Sequence, residues 1–474
     1  MLIVITRLAI VSILTCLVLS SCIGNSGSPA DPPTNVQAFP GDGNITVTWD
    51  DNPSVQYWVF YAQDPTLSTT NWTNLLSANA IVNTSSPMTL CNLINNPYPT
   101  SLFPQYFFTI NGRTGTSPGG AGSPLVSTSP RPAGGPQAPW VLGTPIPVSV
   151  AGLGYGILTP CGWSGRPPSG IYVAVGPAGA VYSSYLAPTV AGALAASNGN
   201  NAMTWTAGNL PPGFNQDLSA VAAYSGPINP AAPNLIFVAV GKNGTILRST
   251  DGQNWAQISG VPTTNNLNAV AFAGSAFIAV GDGGVVLTSS NGLTWTQSLG
   301  PAVISSNNLN AIHCTGGYCL AVGAGGTTLW TTSSGASWVL YPQGLNDWIT
   351  VAYGNNDANA NPPVVTQIGE VLTINRPAQY INTWVIADAN GNYAYTTSPG
   401  TWISGNAPIA TSVVAMDYTT RFVALDAAGN TYASQNATSW ALVGSSGLTA
   451  PTAIFSNGQG FVALDSSGAN ASSF

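Results

Sequence analysis

The chain contains one histidine and one glutamate, which leaves few routes to acid–base catalysis. His313 has no second imidazole to work with. Glu370 sits in a long insert, VTQIGEVLTINRPAQY, with no recognisable partner motif. A GxSxG nucleophile elbow, an HxH pair and a CxxC pair are all missing from the sequence, so no catalytic residue, metal site or cofactor is expected. One spacing does suggest chemistry. Cys314 and Cys319 flank TGGY in NAIHCTGGYCLAVG, where a two-residue turn at Gly316 and Gly317 would set Thr315 opposite Tyr318 and one cysteine opposite the other. Such a pair is non-hydrogen-bonded and close, which fits a disulfide. A metal is rejected because no second ligand pair exists and His313 would point to the opposite strand face from Cys314. Whether Cys91 and Cys161 pair across domains or stay free is not decided by the sequence.

The composition limits the partners. Charged residues are 5% of the 474, against roughly a quarter in ordinary soluble domains, and the formal net charge is -7. The eight cations, Arg7, Arg113, Arg131, Arg166, Lys242, Arg248, Arg376 and Arg421, are scattered, so no basic patch exists and nucleic-acid binding is not expected. With Gly 53 and Pro 37, the chain reads as short strands and many turns. The first residues, MLIVITRLAIVSILTCLVLSSC, have the grammar of an export signal. Leu19, Ser20, Ser21 and Cys22 resemble the bacterial lipobox, which implies acylation of Cys22, a lipid-anchored exported protein at the outer membrane or cell surface, and a flexible tether in IGNSGSPADPP.

Five parts follow: a signal peptide (1–21), the tether (22–31), a β-sandwich (32–130), a linker (131–137) and a repeat region (138–474). In the sandwich region, NITVTWD places Ile45, Val47 and Trp49 on one face, YWVFYA and YFFTINGRTG continue with period two, and MTLCNL and SPLVSTSP add strands. This stretch resembles a fibronectin type III domain in its PPTNVQAFPG start, in Trp49 and Leu93, and in the alternation of Tyr106, Phe108 and Ile110. The resemblance implies a spacer or binding module.

Beyond it the chain repeats. LNAVAFAGSAFIAVGDGGVVLTSSNGLTWTQSLG from Leu267 aligns with LNAIHCTGGYCLAVGAGGTTLWTTSSGASWVLYPQG from Leu309, an offset of 42 residues. Each copy reads as four short strands, one blade of a β-propeller. The C-terminal PTAIFSNGQGFVALDSSGANASSF supplies three strands and no tryptophan, whereas APWVLGTP around Trp140 looks like an orphan fourth strand. Pairing the two would close a seven-bladed ring, with Trp140, Trp205, Trp255, Trp295, Trp338, Trp402 and Trp440 one per blade and no bare sheet edge.

Between second and third strands run GPAG, GKNG, GDGG and GAGG, then DANG, DAAG and DSSG, in which Asp388, Asp426 and Asp465 are expected to keep the turn by bonding amides two residues on. Between third and fourth strands, STDGQNW, SSNGLTW, TSSGASW, TTSPGTW and SQNATSW resemble shortened Asp boxes of sialidase-type (BNR) propellers. LIFVAVGKNGTILRSTDGQNW is similar to repeats of photosystem II assembly factor-like propellers. In such families the Asp box fastens a turn away from the active site. Sialidase chemistry would need an arginine triad, a tyrosine nucleophile with a glutamate, and an aspartate acid. This sequence departs from that pattern, because Arg248 precedes an Asp box, Arg421 leaves a tight hairpin and Glu370 stands alone.

Function is therefore expected on the face shared by fourth-to-first and second-to-third connections, with Lys242, Asn268, Asp282 and Asn310 as candidate binding residues, since amides offer both donors and acceptors. The competing explanation is that Asn268 and Asn310 cap strand ends. His313 is expected on an inner strand, facing the channel or the next blade. The overall expectation is a monomeric lipoprotein whose propeller binds a protein or an envelope glycan without catalysis. The alternatives are a glycan-processing hydrolase or lyase, and an assembly factor for an envelope or membrane complex.

Overall fold

The computed structural model describes residues 29–75, 78–91, 93, 105–115, 119–130, 133, 140–159, 169–186, 203–226, 235–298, 306–357, 365–368, 371–374, 380–458 and 460–473. The signal segment, Cys22, Cys161, Arg166, Glu370 and Arg376 lie outside these residues, as does most of the 131–137 linker. Among them the chain is almost entirely β, and no helix is long and apolar enough to cross a membrane.

Residues 37–128 form two facing antiparallel sheets. One holds Gln37–Gly41, Asn44–Thr48 and Met88–Cys91; the other orders Asn79–Thr84, Gln56–Ala62, Tyr106–Arg113 and Val126–Thr128. The period-two pattern becomes the core between them: Ile45, Val47, Trp49, Val59, Met88, Phe108 and Ile110 are all buried. Each such side chain contributes roughly 1.5–3 kcal/mol by leaving water. Trp49 lies one residue past its strand rather than on it. Cys91 is disulfide-bonded.

From Val141 onward the described residues build seven four-stranded antiparallel sheets. The first strands are Gly152–Thr159, Leu218–Ser225, Leu267–Phe272, Leu309–Thr315, Trp348–Asp357, Val413–Tyr418 and Pro451–Ser456. Each packs beside the next in chain order, and the last packs beside the first, so the sheets follow one another around a β-propeller. Six sheets take four strands in chain order. The seventh takes its fourth from the other end of the region, where Val141 and Leu142 pair with Ser472 and Ala471 of Asn470–Ser473. The insert after Trp348–Asp357 carries a hairpin of its own, Val365–Ile368 with Val371–Ile374.

One large side chain per sheet recurs on the second strand. Tyr172, Phe237, Phe277, Trp384, Phe422 and Phe461 are buried opposite a buried Ser or Thr of the third strand. In the fourth sheet this place is held by Cys319, which pairs with Thr331 and is bonded to Cys314. The two cysteines are direct cross-strand partners with Cα atoms 4.2 Å apart, as the Gly316–Gly317 turn requires. The seven repeat tryptophans all stand at the start of a fourth strand. Trp255, Trp295 and Trp338 each donate Nε1–H to the carbonyl of the glycine three residues earlier, at 3.2 Å.

Candidate functional site

In an antiparallel sheet, second-to-third turns and fourth-to-first connections share one end of the strands, here called the upper face. The first-to-second hairpins and third-to-fourth turns share the lower face. The lower-face Asp boxes are self-contained. Ser249 Oγ accepts from Gly252 N, and Asp251 Oδ1 accepts from Gln253 N and Asn254 N at 2.8 Å each. Burial pushes the Asp251 carboxyl up, but these donors, with Ser249 and the Asn254 amide, outweigh it and bring the pKa to about 2. Asn291 repeats the pattern toward Leu293 and Thr294. These bonds fasten turns.

The upper-face turns come in two designs. In the first four sheets two successive residues take positive φ, for example Asn243 (55°) with Gly244 (67°) and Gly283 (65°) with Gly284 (71°). In the last three sheets only one does, at Gly391, Gly429 and Gly468. Aspartate keeps a turn at this place by bonding the amide two residues on, as expected, while the backbone of the turn differs from the glycine design. Asp388 Oδ1 accepts from Asn390 N and Asn392 N, Asp426 Oδ1 from Ala428 N and Asn430 N, and Asp465 Oδ1 from Ser467 N and Ala469 N. All three carboxylates are buried. In the glycine design a Cβ on Gly241, Gly281 or Gly323 would strike the carbonyl oxygen of Asp217, Asn266 or Asn308, so bulk rather than φ selects glycine there.

Sequence reasoning placed Asn266 and Asn308 on this face within the NNLNA stretches but missed their role, and missed Asp217 and Asp347 altogether. Asp217, Asn266, Asn308 and Asp347 each immediately precede a first strand, and each side-chain oxygen accepts from the previous sheet's turn. The donors are Ala178 N (2.9 Å), Asn243 N (3.2 Å), Gly283 N (2.9 Å) and Gly325 N (2.8 Å). The main-chain oxygens of the first three accept from their own sheet's turn, at Lys242 N, Asp282 N and Ala324 N, each at 2.9 Å. One short Asp or Asn thus bridges two turns, and its signal was the recurring DL, NL, NL and DW before each strand.

The candidate residues fall among these braces. Asn268 and Asn310 occupy the bulge of their first strands, where the register shifts. Asn268 Nδ2 donates to Asp282 Oδ1 and to the Leu309 carbonyl, both 2.9 Å; Asn310 Nδ2 donates to the Trp348 carbonyl at 2.9 Å. Asp282 Oδ2 also accepts from Asn266 Nδ2. Lys242 Nζ meets Asp217 Oδ2 at 2.5 Å, an exposed ion pair whose hydrogen bond holds the Asp217 carboxyl below the usual range. The structure joins Asn268 with Asp282, keeps Lys242 one sheet back, and sets Asn310 one sheet on.

A cleft of about 370 Å³ opens on the same face, at the fifth sheet, flanked by the connections into and out of it. Gln343 and Asn346 come from the connection into the fifth sheet and Asn406 from the connection out of it, while Ser404 ends that sheet's fourth strand, and Asn392 and Tyr393 lie where its second-to-third turn enters the third strand. Leu345, 88% exposed, lies in the chain between the lining residues Gly344 and Asn346. Asn346 Nδ2 and Asn392 Nδ2 are held by Asp388 Oδ2, and Gln343 Nε2 reaches Ser404 Oγ at 3.4 Å. No residue lining the cleft carries a carboxylate, imidazole or thiol. Its chemistry is hydrogen bonding between neutral groups. Among the described residues no three of His, Cys, Asp and Glu cluster so as to hold a metal.

Two groups shifted by burial, His313 and Asp417, stand on first strands away from the cleft. His313 packs against the next sheet, its ring centroid 6.0 Å from Trp384 and 6.4 Å from Tyr353, and burial drives its pKa down to about 4. Burial pushes Asp417 up to about 7, although Ser456 N and Tyr418 N donate to it. The linkage signs oppose each other. The raised Asp417 contributes stability that is present below the ordinary carboxylate range and lost as pH rises through about 7. The depressed His313 contributes stability present above 6.5 and lost as pH falls through about 4. Urea unfolding of Asp417→Asn and wild type should therefore diverge in the variant's favour between pH 5 and pH 8; a constant difference would refute the assignment.

No protein-family model matches the chain, and no curated protein matches it. Among solved structures it is similar to "YCF48 bound to D1 peptide" (13% identity, TM-score 0.48, 71% of this chain and 94% of that one). It is also similar to YCF48 from Cyanidioschyzon merolae (15%, 0.48, 71% and 99%) and to the WD40 β-propeller domain of Doa1 (10%, 0.45, 71% and 97%). The propeller itself is read from the strand pairing and cyclic packing described above.

Proposed function

We propose that this chain is an exported lipoprotein, anchored through Cys22. Its fibronectin type III-like sandwich carries a closed seven-bladed propeller that binds a neutral, hydrogen-bonding ligand on its upper face, a protein segment or an envelope glycan. The observation that carries the reading is the cleft at the fifth sheet, where amides from its flanking connections and turn and the hydroxyl of Ser404 converge. Peptide backbones and sugar hydroxyls both match that donor and acceptor set. The exposed Leu345, adjacent in the chain to two lining residues, offers an apolar contact that favours a protein segment. The three-plus-four strand arrangement supports the fibronectin reading, and the pairing of Val141–Leu142 with Asn470–Ser473 supports closure.

The test is binding of the purified protein to peptide and envelope-glycan arrays, followed by titration of the best probe. Leu345→Asp and Asn406→Trp should each weaken it at least tenfold, about 1.4 kcal/mol. Tyr318→Ala, on an exposed lower-face hairpin, should leave it unchanged. Equal affinity in all four proteins would remove the cleft from consideration.

A further inference from the structure

We infer that the sandwich is locked to the lower face of the propeller by a buried polar joint, so that the two units form one rigid body with the upper face turned away from the start of the described chain. The joint is made by three pieces of chain remote in sequence. Asp42, 2% exposed, sits in the turn between Gln37–Gly41 and Asn44–Thr48. Its carboxylate accepts from Thr419 Oγ1 at 2.5 Å, Thr420 Oγ1 at 2.7 Å and the Ala133 backbone N–H at 3.2 Å. Arg421 donates from Nε (3.1 Å) and Nη2 (2.6 Å) to the Ala133 carbonyl. Thr419, Thr420 and Arg421 join or begin the strands Val413–Tyr418 and Phe422–Asp426, which places them on the first-to-second hairpin of the sixth sheet, on the lower face.

Ala133 is the pivot. Its N–H is held by the sandwich and its carbonyl by the propeller, and its side chain, fully buried, belongs to the apolar cluster that includes Val423 and Phe461. A linker that merely tethered two units would leave these groups to water. Instead a desolvated carboxylate and a largely buried guanidinium have their partners across the junction. Burial lowers the Arg421 pKa and the Asp42 charge opposes that shift. Because a buried charge that loses its partners is costly, hinge opening at this joint is strongly resisted.

The direction follows from strand geometry. Asp42 lies at one end of the sandwich; Ala30 and Asp31 run against Gly120 and Gly112 at the other, where Tyr106–Arg113 ends. An eight-residue strand spans about 26 Å. The described chain therefore begins about one sandwich-length from the joint, at the end of the sandwich away from the propeller. That orientation gives meaning to the proposed binding face and rests on that reading, but the lock does not.

Amide hydrogen exchange on the full chain tests the joint without any ligand. In the wild type the Ala133 amide should be protected at least a hundredfold over an open chain. In Asp42→Ala the protection should drop at least tenfold, and small-angle scattering should show a wider spread of overall dimension, while strand amides in both units stay protected. If strand amides also open in Asp42→Ala, the surface-hairpin variant Thr419→Ala/Thr420→Val decides by the same two readouts. An unprotected Ala133 amide in the wild type, or scattering unchanged in the variant that keeps its strand protection, overturns the lock. Loss of array binding with exchange unchanged would count against the binding face alone.

Discussion

Gly281→Ala and Gly323→Ala should each lower unfolding stability by about 3 kcal/mol, the upper part of the range for forcing a methyl into a packed site. The methyl would be driven into the carbonyl oxygen of Asn266 or Asn308, a backbone atom that cannot rotate away. That oxygen already accepts from Asp282 N or Ala324 N, and the same residue's side chain accepts from Asn243 N or Gly283 N of the previous sheet. Relief would therefore break two turns at once. Gly444→Ala is the control, because its nearest neighbour would be Thr431 Oγ1 at 3.8 Å and the site is exposed. It should fall within about 0.5 kcal/mol of wild type. Chemical denaturation of the three variants measures this, and equal midpoints would show that the upper-face turns have slack the geometry denies them.

Loosening the closing strand should do more damage. Asn470–Ser473 is 0–3% exposed throughout and is the link between the two ends of the propeller region. Gly143 N donates to the Asn470 carbonyl at 2.9 Å, and Asn470 Nδ2 donates to the Thr144 carbonyl at 2.7 Å. Ala471→Asp places an unpaired charge in this seam and should cost about 4 kcal/mol or more. Ending the chain after Ala469 should leave Phe461–Asp465 as a bare buried edge, replace the single unfolding transition by a broad one, and promote aggregation. A truncated protein that melts as sharply as the full chain would mean that this pairing adds nothing to the ring.

Much of this architecture is visible in local patterns. The 42-residue offset between Leu267 and Leu309 falls on equivalent first strands, and the SxxGxxW stretches fall on third-to-fourth turns, because alternation and glycine placement are local consequences of backbone geometry. The glycine-rich first strand Gly152–Thr159 was not legible. Gly154 and Gly156 are small because the Val221 backbone and the Phe237 ring pack where side chains would stand, so the strand shows no alternation. The candidate site was legible only as a face. Asn268 and Asn310 were visible as amides at strand starts, but a bulge aims each at the next sheet's carbonyl, and a bulge leaves no sequence mark of its own.

By itself, then, the amino-acid sequence determined the all-β character, the repeat, the turn positions and the Cys314–Cys319 pair, since each depends on residues a few places apart. Only the tertiary structure decided which carbonyl each asparagine meets, that a cleft opens at the fifth sheet, and that Asp42 faces Thr419 and Thr420. Those are meetings between chain segments tens to hundreds of residues apart, and their partners are chosen by how the sheets pack around the ring rather than by any local pattern.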